Sequence, residues 1–262
     1  MTTPANDLWF RRYHPSPDPR ATVFCFPHAG GSASYFHPLS AALAPEFDVL
    51  AVQYPGRQDR HAEPPPPTLR ELADGIHAAL PPAALPPATG APVVFFGHSM
   101  GAVVAFEVAR RCESLGAAPA LLFASGARAP SRVRDDGVHR RGDAGIVAEL
   151  RSMGGTDARV LAEAELLEMV LPPLRSDYRA IETYRQDAGA RIGAPIVVLT
   201  AVDDPRTTVD EAEAWHEHTT AGGSTHLFDG GHFYLEHHAD RVIALVTETM
   251  RGLAPAPVPR RV

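Results

Sequence analysis

The chain places one serine between two glycines, where an apolar run meets a helical pattern. Residues 97–101 read Gly97-His98-Ser99-Met100-Gly101, directly after PVVFF and directly before AVVAFEVARR. A hydroxyl is a weak nucleophile until a base removes its proton. A Gly-x-Ser-x-Gly pentapeptide in a strand–turn–helix setting is the arrangement that presents such a hydroxyl for attack. The turn is tight, so a side chain at either flank would collide with nearby backbone, and glycine avoids the collision. The helix that follows offers its positive dipole end to developing negative charge. An ordinary helix-capping serine would leave both flanking glycines unexplained.

Nucleophilic serine needs an imidazole base and a carboxylate behind it. With the serine on a strand–helix turn, the expected chain order is Ser, then Asp or Glu, then His. After the apolar run 195–200 the sequence reads Ala201-Val202-Asp203-Asp204-Pro205, so two carboxylates compete. Asp204 is preferred, because the turn position before proline lets its side chain lean back over the sheet edge; Asp203 stays as the alternative. Thirteen histidines make the residue type itself uninformative. His232 is singled out by position: it follows the run STHLF and the turn Asp229-Gly230-Gly231, and precedes the last helical segment. His237 and His238 fall on that helix, His216 and His218 on another, and no spacing fits a zinc pair. An acyl-transfer site also needs two backbone N–H groups for the oxyanion. One is expected from Met100, after the nucleophile. The other is expected from Ala29, in the glycine-containing loop Phe26-Pro27-His28-Ala29-Gly30-Gly31-Ser32. His28 is a candidate for fixing that loop or touching substrate.

Positioning these residues takes a sheet whose strand ends gather on one edge. Apolar runs at 22–26, 48–52, 92–96, 119–124, 195–200 and 224–228 predict six strands, with a seventh possible. Helical patterns at 32–44, 68–80, 100–115, 207–219 and 235–253 separate them. Continuous apolar strands alternating with amphipathic helices require a mostly parallel sheet with helices on both faces. The chain is therefore α/β. The alternation breaks at 128–190, where 144–153, 158–171 and 174–186 read as consecutive helices. A helical insertion within an α/β sheet is a candidate lid. The expected organisation is a core of 1–127 and 191–262 interrupted by a helical lid insertion at 128–190. Residues 1–20 read as a loose arm, 128–143 as a mobile connector and 254–262 as a frayed tail.

The 262 residues are 45% hydrophobic and 21% charged, a globular composition with enough apolar surface for one large core. A net charge of −7 argues against binding nucleic acid by phosphate neutralisation. No uninterrupted apolar stretch is long enough to span a membrane, and the N-terminus lacks a signal-peptide core. Cys25 and Cys112, each within an apolar run, predict buried thiols and not a disulfide scaffold. A cytoplasmic protein is expected.

With these residues in hand, the chain resembles the stand-alone type II thioesterases of polyketide and nonribosomal peptide biosynthesis, in the α/β-hydrolase superfamily. The resemblance rests on FPHAGGSASYF at 26–36, QYPGR at 53–57, GHSMG at 97–101, SMGGT at 152–156, LPPLRSDYRAIETY at 171–184, DDP at 203–205 and GGHFYL at 230–235. It implies an α/β-hydrolase fold, Ser99 as nucleophile, His232 as base, Asp204 as orienting acid, and Ala29 and Met100 as oxyanion donors. In fused thioesterase domains the acid typically follows the strand after the nucleophile helix; here that place reads Ser125-Gly126. Ala201 departs from the glycine common before the acid. The implied substrate is an acyl group on the phosphopantetheine arm of an acyl or peptidyl carrier protein, met transiently by a monomer that clears stalled groups. No metal or cofactor of its own is required. Arg57 has two readings: a contact to the arm's phosphate or a carrier acid, or an internal salt bridge at a Pro-Gly turn, the latter preferred. A carboxylesterase or lipase, and a non-catalytic carrier binder, are the alternative functions.

Overall fold

The computed structural model describes residues 8–81, 90–134, 136–154 and 163–253. Its strands are β1 (Phe10–Arg11), β2 (Thr22–Phe26), β3 (Asp48–Val52), β4 (Val93–His98), β5 (Leu121–Ser125), β6 (Ile196–Ala201) and β7 (Gly223–Phe228). They form one sheet in the order β1-β3-β2-β4-β5-β6-β7. All neighbours are parallel except β1 and β3. Every residue of β2 to β6 is buried, as expected of apolar strands covered on both faces. The edge strand β7 is largely solvent-facing.

The described helices are α1 (His37–Leu43), α2 (Leu69–Ala79), α3 (Met100–Ser114), α4 (Asp143–Met153), α5 (Ala164–Thr183), α6 (Val209–Glu213), α7 (Tyr234–His237) and α8 (Ala239–Arg251). Side chains alternate across the sheet with period two. Phe24 and Phe26 of β2 join Leu72 and Ile76 of α2 and Val104 and Phe106 of α3 in one core layer. Val23 and Cys25 join Leu43 of α1 and Val242, Val246 and Met250 of α8 in the other. Both cysteines are free and buried, as expected. This is the α/β-hydrolase architecture expected from the sequence.

Five local expectations change. The arm at 8–20 is tied down: Phe10 and Arg11 pair with Val52 and Ala51, and Phe10 packs edge-on against Phe24 at 5.4 Å. The Arg60 guanidinium lies 4.0 Å over the Trp9 ring. Two aromatic residues outweigh the polar, proline-rich composition around them. Residues 1–7 and 254–262 lie outside the described residues. The connector at 128–143 is packed, with 135 outside the description. Val138 is fully buried, and the amides of Val138 and His139 donate to the Glu182 carboxylate at 2.9 and 3.0 Å. The helix expected at 32–44 opens as a 3-10 turn, Ala33–Phe36, and the one at 207–219 closes as one, Ala214–His218. The segment 235–253 divides at His238 into α7 and α8.

The insertion connects β5 to β6. Its last two expected helices merge: α5 runs through Pro172 and Pro173. An interior proline costs about 3 kcal/mol through its missing N–H and ring clash. The carbonyls deprived of partners belong to Glu168 and Met169, both exposed, so water can take them. Beyond the prolines, Leu174 and Tyr178 are buried with Val138 and Ile146 in a third apolar cluster. Burial of that face holds the helix through the prolines. Of the expected helix at 158–171, residues 158–162 lie outside the described residues.

Candidate active site

Ser99 follows the last residue of β4 and has φ 55° and ψ −123°, a strained conformation for a non-glycine residue. The surroundings enforce it. The Ser99 amide donates to the Ser125 carbonyl at 2.8 Å. A Cβ on Gly97 would lie 2.3 Å from the Gly101 carbonyl oxygen, and one on Gly101 would lie 2.0 Å from the Phe26 carbonyl oxygen. Both glycines are therefore demanded by backbone contact, Gly97 against the first turn of α3 and Gly101 of α3 against the end of β2. The turn aims the hydroxyl off the sheet edge at the start of α3.

The structure brings Ser99, His232 and Asp204 into one hydrogen-bonded line. His232 Nε2 is 2.9 Å from Ser99 Oγ, and His232 Nδ1 is 2.8 Å from Asp204 Oδ2. With Nδ1–H donating to the carboxylate, Nε2 is left as the acceptor for the serine proton. The second Asp204 oxygen accepts from the Arg206 amide at 2.8 Å. The Asp204 and His232 side chains are both buried. Asp203 is exposed and outside the line. Its amide donates to the Gly230 carbonyl at 3.1 Å, which ties the acid's turn to the histidine's loop. Ala201 does not prevent this geometry.

Two further imidazoles flank His232, with ring centroids 5.2 Å from His98 and 6.0 Å between His98 and His28. Burial, then the neighbouring His232, then Arg57 lower the His28 pKa to about 3. Burial, then His232 and His28, push His98 well below its ordinary range. Both are held neutral beside the His232 ring. His98 Nδ1 meets Ser125 Oγ at 3.0 Å, and Ser125 Oγ meets the Tyr234 hydroxyl at 2.6 Å. Ser125 thus serves His98, and His232 takes its carboxylate from the later strand.

Ala29, Met100 and His28 line a cavity of about 500 Å³ that also contains Ser99 and His232. Its apolar walls include Val103 of α3, Leu150 and Met153 of α4, and Val170 and Leu174 of α5. The Gly31 amide donates to the His28 carbonyl at 2.9 Å, and the Gly30 amide to Asp177 Oδ2 at 2.7 Å. Among the described residues, the Ala29 amide has no protein acceptor, and Met100 opens α3, where a helical amide has no intrahelical acceptor. Two such amides beside a serine hydroxyl are suited to an oxyanion.

Arg57 is not brought to this cavity. Its guanidinium pairs with Asp177 at 2.8 and 2.9 Å and donates to the Gly31 carbonyl at 2.9 Å, all buried. A side chain so engaged cannot present itself to a phosphate, so the contact role is replaced by the internal salt bridge. Asp177, which sequence reasoning passed over, is signalled only by the charged LRSDY segment inside an otherwise amphipathic helix. Among the described residues, no group of three or more His, Cys, Asp and Glu is arranged to hold a metal ion.

A serine, imidazole and carboxylate in line at the edge of this sheet define a hydrolase of the α/β type. Comparison with known proteins narrows the class. The thioesterase-domain family matches residues 21–249. A probable cadicidin biosynthesis thioesterase of Streptomyces griseus is 51% identical over 94% of this chain, which spans 66% of that protein's length. Thioesterase PikA5 of Streptomyces venezuelae is 46% identical over 87% of this chain and 80% of its own. The structure of BorB, a type II thioesterase from the borrelidin biosynthetic cluster, superposes with a TM-score of 0.86 at 48% identity, covering 94% of this chain and 98% of BorB. The chain belongs to the thioesterase family, enzymes that hydrolyse thioesters, and its relatives include type II thioesterases of polyketide and nonribosomal peptide biosynthesis.

Proposed function

We propose that this chain removes acyl groups from the phosphopantetheine arms of carrier proteins by a Ser-His-Asp acyl-enzyme mechanism. The observation that carries the reading is the Ser99–His232–Asp204 line opening into an apolar cavity of about 500 Å³. His232 Nε2 takes the Ser99 proton as Oγ bonds to the thioester carbonyl carbon. The amides of Ala29 and Met100 stabilise the resulting oxyanion. As the carbon–sulfur bond breaks, His232 returns the proton to the departing sulfur, and the acyl group stays on Ser99. His232 then takes a proton from water as the water oxygen attacks the acyl carbon, and Ser99 recovers a proton when the acid leaves. Asp204 holds the imidazole in the required tautomer and stabilises its cation. The acyl chain lies along the apolar wall, and the pantetheine arm belongs to the partner.

The relatives' biosynthetic settings support a role in clearing stalled acyl groups, with carriers bound transiently. The insertion carrying α4 and α5 acts as lid and docking region in this reading. Intact-mass spectrometry of a panel of acyl-loaded carrier proteins tests it. Wild-type enzyme releases the acid and the Ser99→Ala variant does not. A strong preference for matched oxygen esters would assign the site to a carboxylesterase instead. Failure of a fluorophosphonate to label Ser99 in folded protein would favour a non-catalytic carrier binder.

A further inference from the structure

The loop that carries Ala29 is held from outside the sheet. Gly30 has φ +75°, and a Cβ on it would lie 2.7 Å from Leu174 Cδ1, so the loop lies directly against α5. Asp177, one turn along that helix and buried, accepts the Gly30 amide at 2.7 Å. Arg57, from the loop after β3, donates to both Asp177 oxygens and to the Gly31 carbonyl. The same carboxylate therefore binds the loop's backbone and the guanidinium that binds the next residue's carbonyl.

We infer that Asp177 and Arg57 are positioning residues for the oxyanion site, through which the helical insertion sets the orientation of the Ala29 amide. Asp177 fixes the peptide plane that follows Ala29 and takes the Gly30 amide out of the competition for substrate oxygen. Arg57 has a second duty. An unpaired carboxylate beside a forming oxyanion would oppose it, and the guanidinium cancels that charge while closing the far side of the loop. On this reading α5 beyond Pro173 belongs to the machinery, while Leu150 and Met153 of α4 wall the cavity. This inference rests on the acyl-enzyme reading.

The test compares two double variants. Arg57→Met with Asp177→Leu replaces the buried pair by apolar side chains of like volume, a change that buried ion pairs often tolerate. Arg57→Gln with Asp177→Asn removes the charges but keeps an acceptor for Gly30. Active enzyme is counted by end-point fluorophosphonate titration, and thioester hydrolysis is followed beside the affinity of a trifluoromethyl ketone, which becomes tetrahedral on Ser99, and of a non-reactive amide analogue. The apolar pair is expected to lower kcat by about tenfold to a hundredfold, since one oxyanion donor is worth about 10² to 10³ in kcat, with KM within about threefold. The ketone should weaken in proportion and the amide should not. The Gln/Asn pair should keep kcat within about fivefold of wild type. The inference fails if the apolar pair keeps kcat within about threefold, if ketone and amide weaken equally, or if the Gln/Asn pair is as impaired as the apolar one. Should the apolar pair not fold, Arg57→Gln with Asp177→Ala withdraws the acceptor and provides the same comparison. Wild-type enzyme that neither takes the label nor turns over thioester would refute the acyl-enzyme reading itself, and this inference with it.

Discussion

The hydroxyl–imidazole–carboxylate line and the helical insertion above it are held by different forces. Ser99, Asp204 and His232 each stand on a short loop at the end of a strand, and strand register brings those loops together. His98 is paired with Ser125, Ala201 with Phe228, and the amides of Val202 and Asp203 donate to the carbonyls of Phe228 and Gly230. Among its described residues the insertion has no strand to set its place. It is fixed by a small apolar cluster, by Ala129, Ala180 and Tyr184 in the main core, and by charged side chains reaching backbone: Asp177 to Gly30, Glu182 to Val138 and His139. A sheet edge places chemistry through repeating geometry, whereas the insertion places it through a few long-range contacts, each of which counts.

The largest expected effect falls on the sheet-edge side. Ser99→Ala and His232→Ala should each lower single-turnover thioester hydrolysis by about 10⁶-fold, as for other triads acting as a unit. Residual turnover above that level would place the nucleophile or base elsewhere.

Asp204→Asn should cost about 10⁴-fold in kcat by favouring the wrong imidazole tautomer, while the exposed Asp203→Asn should stay within about twofold. Steady-state kinetics on both variants separates the neighbouring carboxylates, and equal losses would contradict the geometry.

The insertion side is tested by stability. Leu174, 2% exposed in the third cluster and touching Gly30, should cost about 2–5 kcal/mol when changed to Ala. Met169, 66% exposed on the same helix before the prolines, should cost less than about 0.5 kcal/mol. Urea midpoints check both, and similar losses would mean that the two halves of α5 are equally anchored.

The last test concerns pH. In the unfolded chain His28 titrates at its ordinary value of 6.5, and in the fold burial holds it near 3. Below pH 6.5 the unfolded state binds a proton that the native state refuses, so the stability is full above that pH and falls as pH drops toward 3. Among the described residues His28 Nδ1 is buried without a partner, so His28→Phe loses no hydrogen bond there. It should flatten the acid-side slope of urea midpoints measured between about pH 4 and 7. An unchanged slope would show that His28 is protonated in the native state.

The sheet-edge side was readable because its signals are local. Gly97 and Gly101 flank Ser99 in sequence and in space, and His232 was picked from thirteen histidines by its place between a strand and a helix. Asp204 was preferred over Asp203 for the proline that follows it, with Asp203 left as the alternative. The arm at 8–20 was misread because composition conceals a two-residue strand that exists only by pairing with β3. The prolines in α5 suggested a break for the same reason: local propensity was legible, and the tertiary burial of Leu174 and Tyr178 was not. Arg57 and Asp177 are 120 residues apart, and neither announces the other.

Sequence alone determined the alternation of apolar runs and helices, the strained serine turn and the order of the three reactive side chains, because periodicity and steric need are written in neighbouring residues. Tertiary structure decided which aspartate faces the imidazole, that Ala29 and Met100 line one cavity, and that the loop carrying Ala29 leans on a helix from the insertion. Those outcomes depend on distances between segments far apart in the chain, and such distances come into being only when the core closes.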